Sequence, residues 1–234
     1  AIACAKDGRS FISQEDVDKS FIKLGIGKEK KSRIVSEHDR KITAYHEAGH
    51  AILFHVLPDV GPVHIVSIIP TGSGAGGYTM PISEKDDMYL TKGKMLQDIT
   101  VSLGGRIAES LVLDDITTGA SQDIKQATEQ AKAMVTKYGF TKNVGMINYA
   151  GEDEVFVGRE IGQSSRGYSE DVAKKIDEEV NSIIDSCYER AEEILKENME
   201  VLHKCAALLL EKERIDREEF EKLFAGEEQT VPEN

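Results

Sequence analysis

"ITAYHEAGHAIL", residues 42–53, carries two histidines four positions apart, with a glutamate directly after the first. An α-helix advances about 100° per residue, so positions i and i+4 stack on one face. His46 and His50 therefore send two imidazoles in one direction, as two ligands of a single zinc ion must. Glu47 is rotated one residue off that face, where a carboxylate reaches a metal-activated water rather than the metal itself. The flanking residues Ile42, Ala44, Tyr45, Ala48, Ala51 and Ile52 are uncharged. Buried polar groups are costly without partners, and one cation supplies a partner to both rings. The competing reading is a chance HExxH on an ordinary helix, and the uncharged surround counts against it.

Outward from this stretch the pattern is helical. Ser36 with Asp39 three residues on resembles a capping box, and apolar residues recur at helical spacing as far as Pro58. "VHIVSIIP", 63–70, is β-branched and short, and "TGSGAGG" then "YTMPI" follow it. That predicts a strand, a glycine-rich turn and a second strand. Thr91 caps a further helix with one apolar stripe of Met95, Ile99, Leu103, Ile107 and Leu111. Gly104 and Gly105 interrupt that helix at about 1 kcal/mol each relative to Ala, so another backbone is expected close by. Ser121 starts the next helix, with Ile124, Ala127, Ala131, Met134 and Val135 inward, ending at Tyr138–Gly139. Residues 140–168 read as irregular or short-stranded. Ser169 opens a long amphipathic stretch with a break near Asn198, and Asp216 with Glu219 caps a last helix. Residues 1–24 read as the end of one helix, a glycine turn and a short helix capped by Ser13. A basic linker (25–35) and a disordered tail (226–234) complete the division, with 36–225 between them. The fold class is mainly α, with a small β-hairpin or sheet near the active site.

An open catalytic zinc site needs a third protein ligand. A metzincin would have Gly and His three and six residues after His50, but Leu53 and Val56 stand there. His38, His55, His64 and His203 read as ordinary polar residues. Two carboxylates remain: Glu109 on the Gly-Gly helix and Asp123 at a helix start. Each has a plain alternative, Glu109 as a solvated helix residue and Asp123 as an acid opposing the helix dipole. Spacing alone leaves the choice open.

The remaining features mainly exclude. A formal charge of −13 over 234 residues argues against a general nucleic-acid or anionic-membrane binder. Neither a secretory signal nor a spanning apolar run is present. The chain opens mid-pattern without Met, which suggests an excised fragment with any membrane anchor outside it. Cys4, Cys187 and Cys205 form no CxxC pair and fit buried small hydrophobes in a reducing compartment. "GSGAGG", 72–77, matches a dinucleotide fingerprint, but "YTMPISEKDD" opens no helix after it. No P-loop is present.

"AYHEAGHA", "SIIPTG", "GGYT", "LGGRIAE" and "TTGASQDI" occur in an order and spacing that resemble the FtsH-type membrane-anchored AAA+ zinc proteases, across about 1–225. The resemblance implies a zincin-like helical metalloprotease domain preceded, at 1–24, by the end of an ATPase lid. It implies Asp123 as third zinc ligand, with Glu109 orienting a ligating imidazole or serving as a substitute ligand. The implied activity is a zinc-dependent endopeptidase acting through a zinc-activated water with Glu47 as general base. ATP and Mg²⁺ would belong to an ATPase module outside this chain. The implied assembly is a homo-hexamer cutting unfolded and membrane proteins, with no nucleic acid and no membrane contact except through an anchor elsewhere. The implied location is the cytoplasmic side of the bacterial inner membrane, the fragment itself being soluble. An inactive hexameric scaffold and a stand-alone zinc amidohydrolase are the alternatives.

Overall fold

The computed structural model describes residues 35–72, 75–82, 88–113, 115–150 and 168–225, with scattered positions among 4–24. The expected linker up to residue 34, most of the 140–168 stretch and the 226–234 tail lie outside the described residues.

Helix α1 spans Glu37–Val56. Ser36 starts it by accepting a hydrogen bond from the Asp39 N–H at 3.0 Å. Pro58 ends it by holding Leu57 in extended backbone (φ −87°, ψ 126°). Strands β1 (Val63–Ser67) and β2 (Tyr78–Pro81) form the expected hairpin. Helix α2 (Lys92–Val112) begins where Thr91 accepts from the Lys94 N–H. A single 3-10 turn, Thr118–Ala120, leads directly into α3 (Ser121–Thr136). Gly139 takes φ +61° just beyond α3, a left-handed conformation that side-chain-bearing residues disfavour. Helix α4 (Glu170–Glu197) and α5 (Met199–Lys212) follow, broken at Asn198, and then β3 (Arg214–Asp216) and α6 (Arg217–Glu221). Asp216 and Glu219 form the complete reciprocal capping box at α6.

Ala44, Ala48, Ala51, Ile52 and Leu53 of α1 are fully buried, so this helix runs through the centre of the core. Helix α2 packs on one side of it, α5 on another, and α4 covers α2. The expected close backbone approach at Gly104 is present. A Cβ on Gly49 would lie 2.5 Å from the Gly104 carbonyl oxygen, and one on Gly104 would lie 2.5 Å from Leu53 Cδ1. Gly105 serves a different purpose, because a Cβ there would fall 2.4 Å from the His46 ring. All three cysteines are free and buried.

Three details depart from the sequence reading. The sheet has a third strand and the order β2-β1-β3, both pairings antiparallel. β3 contributes only Arg214–Asp216, too short for alternation to register, and it is held because Ile215 pairs with Val66 of β1. The first strand stops at Ser67 rather than continuing to residue 70. Ile124 is exposed, since it stands in the first turn of α3 and only the later turns reach the core. Among the described residues, no helix is long and apolar enough to cross a membrane.

Candidate metal centre

The ring nitrogens of His46 and His50 divide into an inner and an outer pair. The two Nε2 atoms face each other at 3.1 Å. His50 Nδ1 lies 2.8 Å from the Val101 carbonyl oxygen of α2. A carbonyl only accepts, so Nδ1 carries the proton and Nε2 presents a lone pair. His46 Nδ1 lies 2.8 Å from Glu109 Oε1, which fixes that ring in the same sense. Asp123, delivered by the first turn of α3, places Oδ2 at 3.3 Å from His46 Nε2 and 3.8 Å from His50 Nε2.

Three donors of type N, N and O thus converge from two helices. A tetrahedron built on Zn–N and Zn–O bonds of about 2.0–2.1 Å has edges of roughly 3.3–3.4 Å. The observed separations bracket that value. Two imidazole lone pairs at this distance repel unless a proton or cation lies between them. The donor set and its spacing therefore fit zinc.

Protonation follows the surroundings. Burial draws the His46 pKa down, but the Asp123 and Glu109 carboxylates outweigh it and hold the ring up at about 10. Burial and the charge of His46 pull His50 down to about 4. Asp123 sits below the ordinary carboxylate range, because its bond to His46 and the charge of the two rings exceed the cost of partial burial.

Glu109 is fully buried on the Nδ1 side of His46, across the ring from the donor cluster. Its second oxygen accepts from the Thr117 N–H at 2.9 Å, and the Arg106 guanidinium donates to the Thr117 carbonyl. Both of its oxygens are therefore engaged. Glu47 is 6% exposed, and its Oε2 accepts from the Thr79 hydroxyl at 2.8 Å. Burial pushes its pKa up to about 7, against the opposing pull of His46 and Thr79.

The cluster opens into a cleft of about 790 Å³ between α1, the glycine-rich turn with β2, and the start of α3. A Cβ at Gly77 would meet Ser67 O at 2.6 Å and Glu47 Cγ at 2.9 Å, so only glycine lets the hairpin lie this close over α1. All five residues singled out from the sequence line this cleft. Four supporting residues were not anticipated: Val101, Thr79, Arg106 and Thr117. Val101 acts through its backbone, which leaves no sequence signal. Arg106 sits inside the quoted "LGGRIAE", where a polar side chain among apolar or small neighbours was the available hint, whereas Thr117 contributes its backbone N–H and carbonyl, as Val101 contributes its carbonyl.

The profile of the family described as Peptidase family M41 matches residues 33–223. The chain is 48% identical over 229 residues to "ATP-dependent zinc metalloprotease FtsH 1" of a Thermoanaerobacter species, covering 97% of this chain and 37% of that protein. It is 50% identical over 224 residues to "ATP-dependent zinc metalloprotease FtsH" of Caldicellulosiruptor bescii, covering 95% and 36%. The protein of the same name in Thermotoga maritima is 41% identical over 234 residues, covering 100% and 38%. The chain thus spans little more than a third of the length of these relatives.

Proposed function

This chain belongs to peptidase family M41, and from that premise we propose that it is a zinc-dependent endopeptidase domain. His46, His50 and Asp123 hold the metal, and Glu47 is the general base. The observation that carries this reading is the convergence of two imidazole Nε2 atoms and one carboxylate oxygen while each outer ring nitrogen is already bonded.

Bound by His46, His50 and Asp123, zinc would supply Lewis acidity towards a scissile carbonyl and would bring a water's pKa from 15.7 towards about 7. Glu47 takes a proton from the attacking water and later delivers one to the leaving amine. Glu109 and Val101 keep the two rings in the ligating tautomer. Strand β2 has a described neighbour on one side only, so its other edge can take an extended peptide as an added strand. Main-chain pairing of that kind makes little demand on side chains, which suits unfolded polypeptide as substrate.

The names of the relatives, together with the fraction of their length covered, support a larger ATP-dependent protease. In it residues 1–24 end an ATPase lid, 25–35 link, 36–225 form the protease domain and 226–234 a tail. ATP and Mg²⁺ act in the ATPase module. The full protein works as a homo-hexamer on unfolded and membrane proteins at the cytoplasmic side of the bacterial inner membrane, anchored through another segment.

Zinc content and casein cleavage, measured for the native chain and Glu47→Gln, test the reading. The expected result is about one zinc in each, with cleavage reduced by about 10²–10⁴ in Glu47→Gln. Undiminished cleavage with zinc retained removes Glu47 from the mechanism, and a zinc-loaded native chain that cuts nothing favours the scaffold alternative. Asp123→Ala is expected to weaken zinc binding more than Glu109→Ala, and the reverse order transfers the ligand role to Glu109.

A further inference from the structure

Glu47 has two carboxylate oxygens, and the structure engages one of them. Oε2 accepts from Thr79 Oγ1 at 2.8 Å, whereas Oε1 has no hydrogen-bond partner among the described residues. Thr79 lies in β2 opposite Val66, whose side chain is buried in the main core. Its neighbours Tyr78 and Met80 pack with Ile65 in a separate cluster. Strand periodicity therefore aims Thr79 at α1 and the two neighbours away from it. A valine would meet the β-propensity and shape requirements of this position equally well, so the hydroxyl is the feature to explain.

A threonine hydroxyl has a single proton to give. Two acceptors lie within its reach, Glu47 Oε2 at 2.8 Å and the Glu47 carbonyl at 3.1 Å. That carbonyl lies in the interior of α1, inside the helical ladder, and a carboxylate is the stronger acceptor. The donated proton therefore goes to Oε2. That bond takes up one lone pair of Oε2 and makes it the weaker base, while neither lone pair of Oε1 is engaged among the described residues. The geometry points to Thr79 as a positioning residue that engages Oε2 and leaves Oε1 as the more basic oxygen, through which Glu47 exchanges protons with the cleft. Thr79 sits on the strand offered to an extended substrate, so one strand sets both the substrate register and the direction of the base. This inference rests on the general-base role of Glu47 given above.

The test compares native protein, Thr79→Val and Thr79→Ser, all zinc-loaded, in steady-state cleavage of casein and in crystal structures of the zinc-free forms. Thr79→Val is expected to lower kcat by about 10- to 100-fold, with KM within about twofold and zinc content unchanged. Thr79→Ser is expected to recover kcat to within about threefold of native. In the crystals, the Glu47 carboxylate should leave its native position in Thr79→Val and keep it in Thr79→Ser. A Glu47 carboxylate that stays in place against the apolar methyl groups introduced by Thr79→Val, or native kcat in that variant, overturns the inference. The crystallographic result decides the matter even if the native chain proves inactive, an outcome that counts against the protease reading instead.

Discussion

His46 and His50 are the same residue type one turn apart, yet their surroundings drive their protonation in opposite directions. His46 is bracketed by Asp123 and Glu109, while His50 is more deeply buried, bonds a backbone carbonyl and the His46 ring, and has Asp123 farther off at 3.8 Å. In zinc-free protein, the ring resonances of His46 are expected to titrate at about pH 10 and those of His50 at about pH 4, as read by NMR. Both rings titrating together near pH 6.5, the ordinary value, would refute this account of the electrostatics. The sign for stability follows by linkage. The raised pKa of His46 stabilises the zinc-free fold fully below about pH 6.5, and that contribution disappears as pH climbs through about 10. The lowered pKa of His50 acts the other way, contributing above about pH 6.5 and lost as pH falls through about 4. The placement of His46 and His50 on one side of α1, with Glu47 beside them, was legible from spacing alone, because a helix converts i and i+4 into one direction. Asp123 and Glu109 were not separable by spacing. The side of the imidazole each one faces depends on how α2 and α3 pack, and resemblance rather than residue chemistry favoured Asp123.

At the scale of elements, the centre depends on how closely α2 can approach α1. Gly49 and Gly104 bring the two backbones together, and Gly105 leaves room for the His46 ring. Gly105→Ala is expected to displace that ring and weaken zinc binding by about tenfold or more, since small misplacements of ligating groups are costly. Gly93→Ala is the control. It lies on the exposed first turn of the same helix, where a Cβ meets nothing closer than Thr91 Oγ1 at 4.0 Å. That variant should bind zinc normally and gain about 0.5–1 kcal/mol from helix propensity. Equal zinc affinities in the two variants, measured by competition with a chelator, would contradict the packing explanation. The paired glycines could be read as a close contact from their cost alone, although the partner could not be identified. Caps at Ser36, Thr91, Ser169 and Asp216 were equally readable, since each satisfies local donors within three residues. Strand β3 was not readable, because its three residues are held by a partner about 150 positions away rather than by their own pattern.

Across the whole molecule, four separate segments meet at one cleft: α1 with the histidines and Glu47, the hairpin edge with Thr79, α2 with Glu109, and α3 with Asp123. The mainly helical class with one small sheet followed from hydrophobic periodicity, which reports on burial wherever an element is long enough to repeat it. Convergence of those segments did not follow from periodicity, because it is set by contacts between residues far apart in sequence. The net charge of −13 also says nothing of the cleft, where acidic side chains (Glu47, Glu109, Asp123) stand beside two histidines. The most direct test is a crystal structure of the zinc-loaded chain with anomalous data collected on both sides of the zinc absorption edge. The account predicts a single strong zinc peak within about 2.0–2.2 Å of His46 Nε2, His50 Nε2 and an Asp123 oxygen, with Glu109 still on His46 Nδ1. A peak ligated by Glu109 in place of Asp123, or no peak between the two rings, would contradict it.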